Sequence, residues 1–237
     1  VLSWAITRAS VDAIRVAAEL RSAGLDAFAL PCIERRPREI EPWSATGFRV
    51  GFFTSVGAVD MVASALEKLQ FELIAAIAPA TKEALVRQGR PVGVEAAGGA
   101  LELAEATVHW LNTFNERPVA FWYPTSDLGE RRDEQEQAIR CLEQVGVVSR
   151  VVAYETRAPQ LLHEAVKALP AEYGVVFTSP STVEHFVTAR PLVTPLRVAC
   201  WGASTLAAAR PFFPAALELD RGLPLSESLA ALEPRHV

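Results

Sequence analysis

The chain contains itself twice, and that limits its possible folds more than any other feature. The segment VGFFTSVGAVDMV (50–62) recurs as GVVFTSPSTVEHF (174–186), and IAAIAPATKEAL (74–85) recurs as VACWGASTLAAA (198–209), each at a shift of 124 residues. Thr54 and Thr81 stand 27 residues apart, as do Thr178 and Thr205, and Gly98 and Leu101 map onto Gly222 and Leu225 at the same shift. A register held without gaps over this distance makes the 237-residue chain two copies of one supersecondary plan.

Each copy alternates short apolar runs with helical patterns. Arg49 to Phe53 and Gly174 to Phe177 read as buried parallel strands, which need little polar alternation. A helix follows in each copy, carried by Val59, Val62, Ala63, Leu66 and Leu69 in the first and by Val183, Phe186 and Val187 in the second. A second strand comes next, Leu73 to Ala78 or Leu196 to Trp201, then a turn and a helix from Thr81 or Thr205. Flanking these, Ser3 to Thr7 and Ala27 to Pro31 are predicted strands around a helix over Val11 to Ser22. Pro118 to Tyr123 and Val147 to Tyr154 are predicted strands around a helix over Arg132 to Val145. Strands alternating with helices of this length imply parallel α/β sheets.

The repeat alone would divide the chain near Pro118, but the punctuation lies elsewhere. Glu34 to Glu39 and Glu155 to Pro159 are charged, proline-bearing stretches, each following the third element of its copy. The chain is therefore expected to cross twice between two domains, at these two stretches.

Composition removes several kinds of function. With 23 Lys+Arg against 28 Asp+Glu, a net charge of −5, the chain lacks the basic face of a nucleic-acid binder. No apolar run approaches the roughly 20 residues of a membrane helix. The opening VLSWAITR reaches Arg8 too early for a signal-peptide core, so a cytoplasmic protein is expected. Cys32, Cys141 and Cys200 are odd in number and far apart, as suits core residues in a reducing compartment. His109, His163, His185 and His236 offer no zinc-ligand spacing, so no metal is expected. GxSxG, GxGxxG and Walker loops are all missing.

What remains is a row of hydroxyls at strand ends: Thr54-Ser55, Thr81, Thr178-Ser179-Pro180-Ser181 and Ser204-Thr205. Ligands of open α/β sheets sit outside the carboxyl ends of the strands, where helix N-termini present free N–H groups. Ser and Thr there cap helices, and a cap that leaves other amides free is also an anion receptor. The pattern points to a multiply anionic ligand, with Arg8 at the end of the first strand adding charge. Lys82, Arg131 and Arg132 are further basic candidates. The carboxylates from Asp127 to Glu136 open an apparent helix, where negative charge complements the dipole. Tyr154 ends a strand beside the second connector and would hold its hydroxyl at a polar edge.

In order and spacing these residues resemble the uroporphyrinogen-III synthase family along almost the whole chain. The resemblance is carried by Thr7-Arg8, Phe53-Thr54-Ser55, Ala78-Pro79-Ala80-Thr81, Val152-Ala153-Tyr154-Glu155-Thr156, Phe177-Thr178-Ser179-Pro180-Ser181 and Trp201-Gly202-Ala203-Ser204-Thr205. The family commonly has Gly-Pro before the threonine of both turns and a proline after the arginine, where this chain has Ala78-Pro79, Gly202-Ala203 and Ala9.

The resemblance implies two similar flavodoxin-like α/β domains, each with a parallel sheet, joined by a two-stranded connector with a cleft between them. One is then built from 1–34 plus 157–237 and the other from 38–152, with connectors at 35–37 and 153–156. It implies a cofactor-independent lyase that cyclises the linear tetrapyrrole hydroxymethylbilane, with inversion of the terminal ring through a spiro intermediate. Such a protein is expected to be a monomer with a small-molecule partner. Tyr154 is then the candidate proton donor to the departing hydroxyl. Arg8, Thr54, Ser55, Thr81, Ser179, Ser181, Ser204 and Thr205 are the candidate carboxylate-binding residues. The alternative is a non-catalytic two-domain α/β sensor for a small polyanion.

Overall fold

Two parallel-rich sheets organise the chain, seen here in a computed structural model that describes residues 2–128, 133–220 and 222–232. In chain order the strands are β1 (Ser3–Ile6), β2 (Ala27–Ala29), β3 (Glu34–Pro37), β4 (Phe48–Phe53), β5 (Leu73–Ile77), β6 (Val94–Ala96), β7 (Val119–Ser126), β8 (Gly146–Arg157), β9 (Tyr173–Phe177), β10 (Arg197–Cys200) and β11 (Leu217–Glu218). The helices are α1 (Ser10–Ser22), α2 (Val56–Met61), α3 (Ala63–Leu66), α4 (Ala80–Arg87), α5 (Ala100–Phe114), α6 (Asp133–Glu143), α7 (Leu162–Lys167), α8 (Pro180–Thr188), α9 (Ala203–Ala209) and α10 (Leu225–Ala230).

The chain divides into two units, the first comprising Val1–Glu34 and Arg157–Val237, the second Arg35–Thr156. The first holds a sheet of order β11-β10-β9-β1-β2, and the second a sheet of order β3-β8-β7-β4-β5-β6. Renumbered within its own unit, the first sheet reads 5-4-3-1-2, which is the flavodoxin order read backwards. The repeat places β9 with β4, β10 with β5 and β11 with β6. It leaves β1 and β2 as counterparts of β7 and β8, which come last in their unit. The copies are thus related by circular permutation, with the second unit inserted after β2.

Helices cover both faces of each sheet. In the first unit, Val183 and Phe186 of α8 and Leu206 of α9 pack with Val175 and Phe177 on one face. On the other face Ala13, Val16, Ala17 and Leu20 of α1 meet Trp4, Ile6 and Val176. In the second unit Val59, Leu66 and Leu85 pack with Phe53, Ala76 and Trp122, while Leu103, Leu111, Ala138 and Leu142 cover Phe52 and Phe121. The repeat therefore preserves which helix covers which face. Trp4, with no exposed surface, lies beside Gly174 on the neighbouring strand. A Cβ at that glycine would come within 2.6 Å of the indole ring, so the residue is required by packing.

Several local expectations change. The single helix expected after β4 is two short ones, α2 and α3, broken at Val62, which leaves the helical region with φ −106° and ψ 11°. The two connector stretches, expected as a two-stranded link, lie in strands of the second unit's sheet. Residues 34–37 form β3 on the edge of the second unit's sheet, next to β8. β8 itself extends to Arg157, paired with β7 as far as Tyr154 opposite Ser126. Edge strands β6 and β11, of three and two residues, carry no apolar run that would announce them in the sequence. Among the described residues no helix is long and apolar enough to cross a membrane.

Candidate functional site

Parallel register brings the predicted hydroxyls to the carboxyl edge of each sheet. In the first unit Ile6 pairs with Val176, and Cys200 with Phe177, so β1, β9 and β10 end level with one another. Thr7 and Arg8 leave β1 there, Thr178 and Ser179 leave β9, and Ser204 and Thr205 follow β10. In the second unit Phe53 pairs with Ala76, which sets Thr54 and Ser55 beside the exit of β5 and the turn to Thr81. The strand order reverses between β1 and β9 in the first unit and between β4 and β7 in the second. Those reversal points are where an open α/β sheet leaves a crevice for ligand.

The two main caps differ in their detail. Ser179 extends its backbone before α8 and accepts a bond from the Thr182 N–H at 3.4 Å. The Thr182 hydroxyl returns the contact by accepting from the Ser179 N–H at 3.3 Å, closing a capping box. Ser181 Oγ lies 2.9 Å from Ser179 Oγ, so two hydroxyls form one polar spot. Ser55 accepts from the Ala58 N–H at 3.1 Å and caps α2. Thr54 Oγ1 is 3.4 Å from the Tyr123 hydroxyl. Ser55, Thr54, Ser179 and Ser181 are all half-buried.

Other predicted residues are placed differently. Thr205 is 1 % exposed, and its hydroxyl donates to the Trp201 carbonyl at 3.3 Å within its own turn. Thr81 is buried in the first turn of α4. The structure thus gives these two threonines a packing role in their turns rather than an open hydroxyl, because each falls on the inward side of its helix. Ser204 is exposed. Their turns use different chemistry: a cis Ala78–Pro79 bond before α4, and Gly202 at φ 97°, ψ 159° before α9, a conformation essentially confined to glycine. Arg8 is half-buried and engaged with another group. Thr7 is fully buried and donates to the Val176 carbonyl at 2.7 Å, tying β1 to β9 at the reversal point.

Tyr154 sits in β8 with its ring packed beside Phe53, Val59, Trp122 and Ala153. Its hydroxyl reaches α2, where it lies 3.2 Å from the position a Cβ on Gly57 would take. The Arg35 guanidinium reaches the same point, with Nε at 2.9 Å and Cζ at 3.1 Å. Sequence reading missed both Arg35 and Gly57, since nothing in the strand pattern brings residue 35 to the first turn of α2.

The basic and acidic candidates resolve mostly into structural roles. Lys82 pairs with Glu95 at 2.5 Å. Asp127 accepts from the N–H groups of Leu128 and Thr156, each at 3.0 Å, and so fastens the end of β8. Glu136 pairs with Arg150 at 3.0 Å. Arg131 and Arg132 lie outside the described residues. Among those described, no group of three His, Cys, Asp or Glu could hold a metal ion. Burial pushes the Cys200 thiol up to about 11, helped by Glu218, and pushes Cys32 higher still. Neither is a nucleophile at neutral pH. A groove of 410 Å³ in the second unit, lined by Pro37 to Trp43 and by Met61, Ser64 and Lys68, contains none of the predicted site residues.

Comparison with known proteins adds family and fold. The family model described as uroporphyrinogen-III synthase HemD matches residues 14–212. No curated protein sequence matches the chain. Among solved structures, uroporphyrinogen-III synthetase from Helicobacter pylori is similar at a TM-score of 0.69 and 15 % identity, covering 98 % of this chain and all of that one. A mutant uroporphyrinogen III synthase from the extremely thermophilic bacterium Thermus thermophilus is similar at 0.56 and 14 % identity, covering 98 % and 97 %. At these identities the structures show a shared α/β fold with two parallel-rich sheets.

Proposed function

The chain belongs to the uroporphyrinogen-III synthase HemD family, and from that premise we propose that it cyclises hydroxymethylbilane to uroporphyrinogen III with loss of water. The observation that carries the reading is the row of half-buried hydroxyls at the reversal point of each sheet, Thr54-Ser55 in one and Ser179-Ser181 in the other. The proposed substrate bears eight carboxylates, whereas the protein is itself net negative at −5. Long-range attraction therefore does not recruit it, and local amides, hydroxyls and individual arginines do.

In this mechanism Ser55, Thr54, Ser179, Ser181, Ser204 and Arg8 take up carboxylates. Thr81 and Thr205 shape the turns that present their neighbours' amides. The Tyr154 O–H donates its proton to the departing hydroxyl. The C–O bond breaks, water leaves, and the pyrrole nitrogen supplies the electron pair, which leaves an azafulvene-like carbon. The substituted carbon of the terminal ring attacks it to give the spiro intermediate. Reopening and closure at the other carbon invert that ring, and the proton released on rearomatisation restores the phenol. No electrons are gained or lost, so the reaction as written needs no cofactor. Holding the chain so that the inverted closure is nearest supplies much of the rate, as orientation can contribute roughly 7–11 kcal/mol. The protein acts in the cytoplasm as a monomer in this reading. Expression in a bacterium lacking its own uroporphyrinogen-III synthase tests it. Growth without added haem is expected, and soluble expression without growth would refute the assignment.

A further inference from the structure

Arg35 is a half-buried cation that has neither an ion pair nor a hydrogen bond among the described residues. Its neighbour Arg38, three positions on, is paired with Glu155 at 2.9 Å. A guanidinium withdrawn from water without an anion is costly, and a carboxylate is its natural bidentate partner. Its head lies against the first turn of α2. Gly57 leaves open the space that a Cβ would fill, and into it come Arg35 Nε, Arg35 Cζ and Tyr154 Oη, at 2.9, 3.1 and 3.2 Å from that point. A cation and a phenol thus converge on one glycine, with Ser55 capping the same turn.

We propose that Arg35 binds a side-chain carboxylate of the linear tetrapyrrole next to Tyr154, and that Gly57 is the residue that makes room for this subsite. The assignment rests on the synthase reading and names a substrate contact for it. The bound carboxylate draws the reacting end of the substrate to the Tyr154 hydroxyl. The arginine is a binding residue and takes no part in proton transfer. Gly57→Ala removes no charge and suits a helix, yet its methyl group displaces both the guanidinium and the phenol.

The test separates binding from turnover. Quenching of uroporphyrin fluorescence gives the Kd of a non-reacting octacarboxylate for the wild-type protein and for Arg35→Gln, Arg35→Lys, Gly57→Ala and Arg38→Gln. Circular dichroism confirms that each variant is folded. Loss of one charge-assisted contact predicts about tenfold weaker binding for Arg35→Gln, part of it retained by Arg35→Lys. Gly57→Ala should weaken binding similarly and add little to Arg35→Gln, because both remove one contact. Arg38→Gln should bind within about twofold of wild type, its partner being Glu155 on the protein. Wild type that binds uroporphyrin, with Arg35→Gln or the milder Arg35→Lys and Gly57→Ala all binding as tightly, overturns the subsite alone. Wild type that neither binds uroporphyrin nor consumes hydroxymethylbilane overturns the synthase reading, and the subsite with it.

Discussion

Tyr154→Phe should separate activity from stability more cleanly than any other change in this chain. The ring fills part of the core beside Phe53, Val59, Trp122 and Ala153, and phenylalanine keeps those contacts. The oxygen has no hydrogen-bond partner among the described residues, so its removal breaks nothing in the folded state. The expected stability change is about 0.5 kcal/mol or less. A positioned general acid contributes roughly 10²–10⁴ in rate, equivalent to about 2.7–5.4 kcal/mol of barrier. The substrate also closes by itself to the type I isomer, so slowing the catalysed reaction changes the product as well as the rate. At low protein concentration Tyr154→Phe should therefore yield mostly type I. At high concentration the type III fraction should recover, because carboxylate binding and chain folding survive the substitution. Initial rates and chromatography of the oxidised products, alongside thermal unfolding, measure all three quantities. Wild-type rate would refute the proton-donor role. Failure of the type III fraction to recover would mean that Tyr154 orients the substrate instead.

Gly174→Ala puts a methyl group within 2.6–2.7 Å of the Trp4 ring, so overpacking should cost about 1–3 kcal/mol. Denaturant titration should show this loss, with part of it recovered by adding Trp4→Leu, and an unchanged midpoint would contradict the packing. Thiol titration of the native protein at pH 8 should count at most one reactive cysteine, Cys141, since Cys32 and Cys200 are buried, and all three should react in denaturant. The hydrogen bond from Arg49 holds the Glu72 carboxyl below its ordinary value of 4.5, so its contribution to stability is present above that pH and is lost as pH falls through the lowered value. Glu72→Gln should flatten that part of the acid-unfolding curve, and an unaltered curve would show that the pair contributes nothing.

The sequence made the architecture legible because buried parallel strands announce themselves as apolar runs, and the repeat supplied each of them twice. Val50 to Phe53 and Val175 to Phe177 needed no structure to be recognised. The pairing of β1 with β9, far along the chain, has no local pattern behind it, and only the two charged connectors and the family resemblance set 1–34 with 157–237. The caps at Ser55 and Ser179 were readable for the same reason that strand ends were. The enclosure of Thr81 and Thr205 was not, since a cap sequence does not reveal which side of the first turn faces the core. Arg35 escaped notice because its role depends on an absence, the missing side chain at Gly57, and on how β3 lies beside β8, which no local pattern specifies. A charged segment read as a solvated link thus brings a cation to the phenol.

The central claim is that this chain makes the inverted ring its product. Freshly prepared hydroxymethylbilane, incubated with excess protein and then oxidised, gives a type III to type I ratio that tests the claim directly. The account predicts predominantly type III, far above a protein-free control. A ratio equal to that of the control, from folded protein, would contradict it.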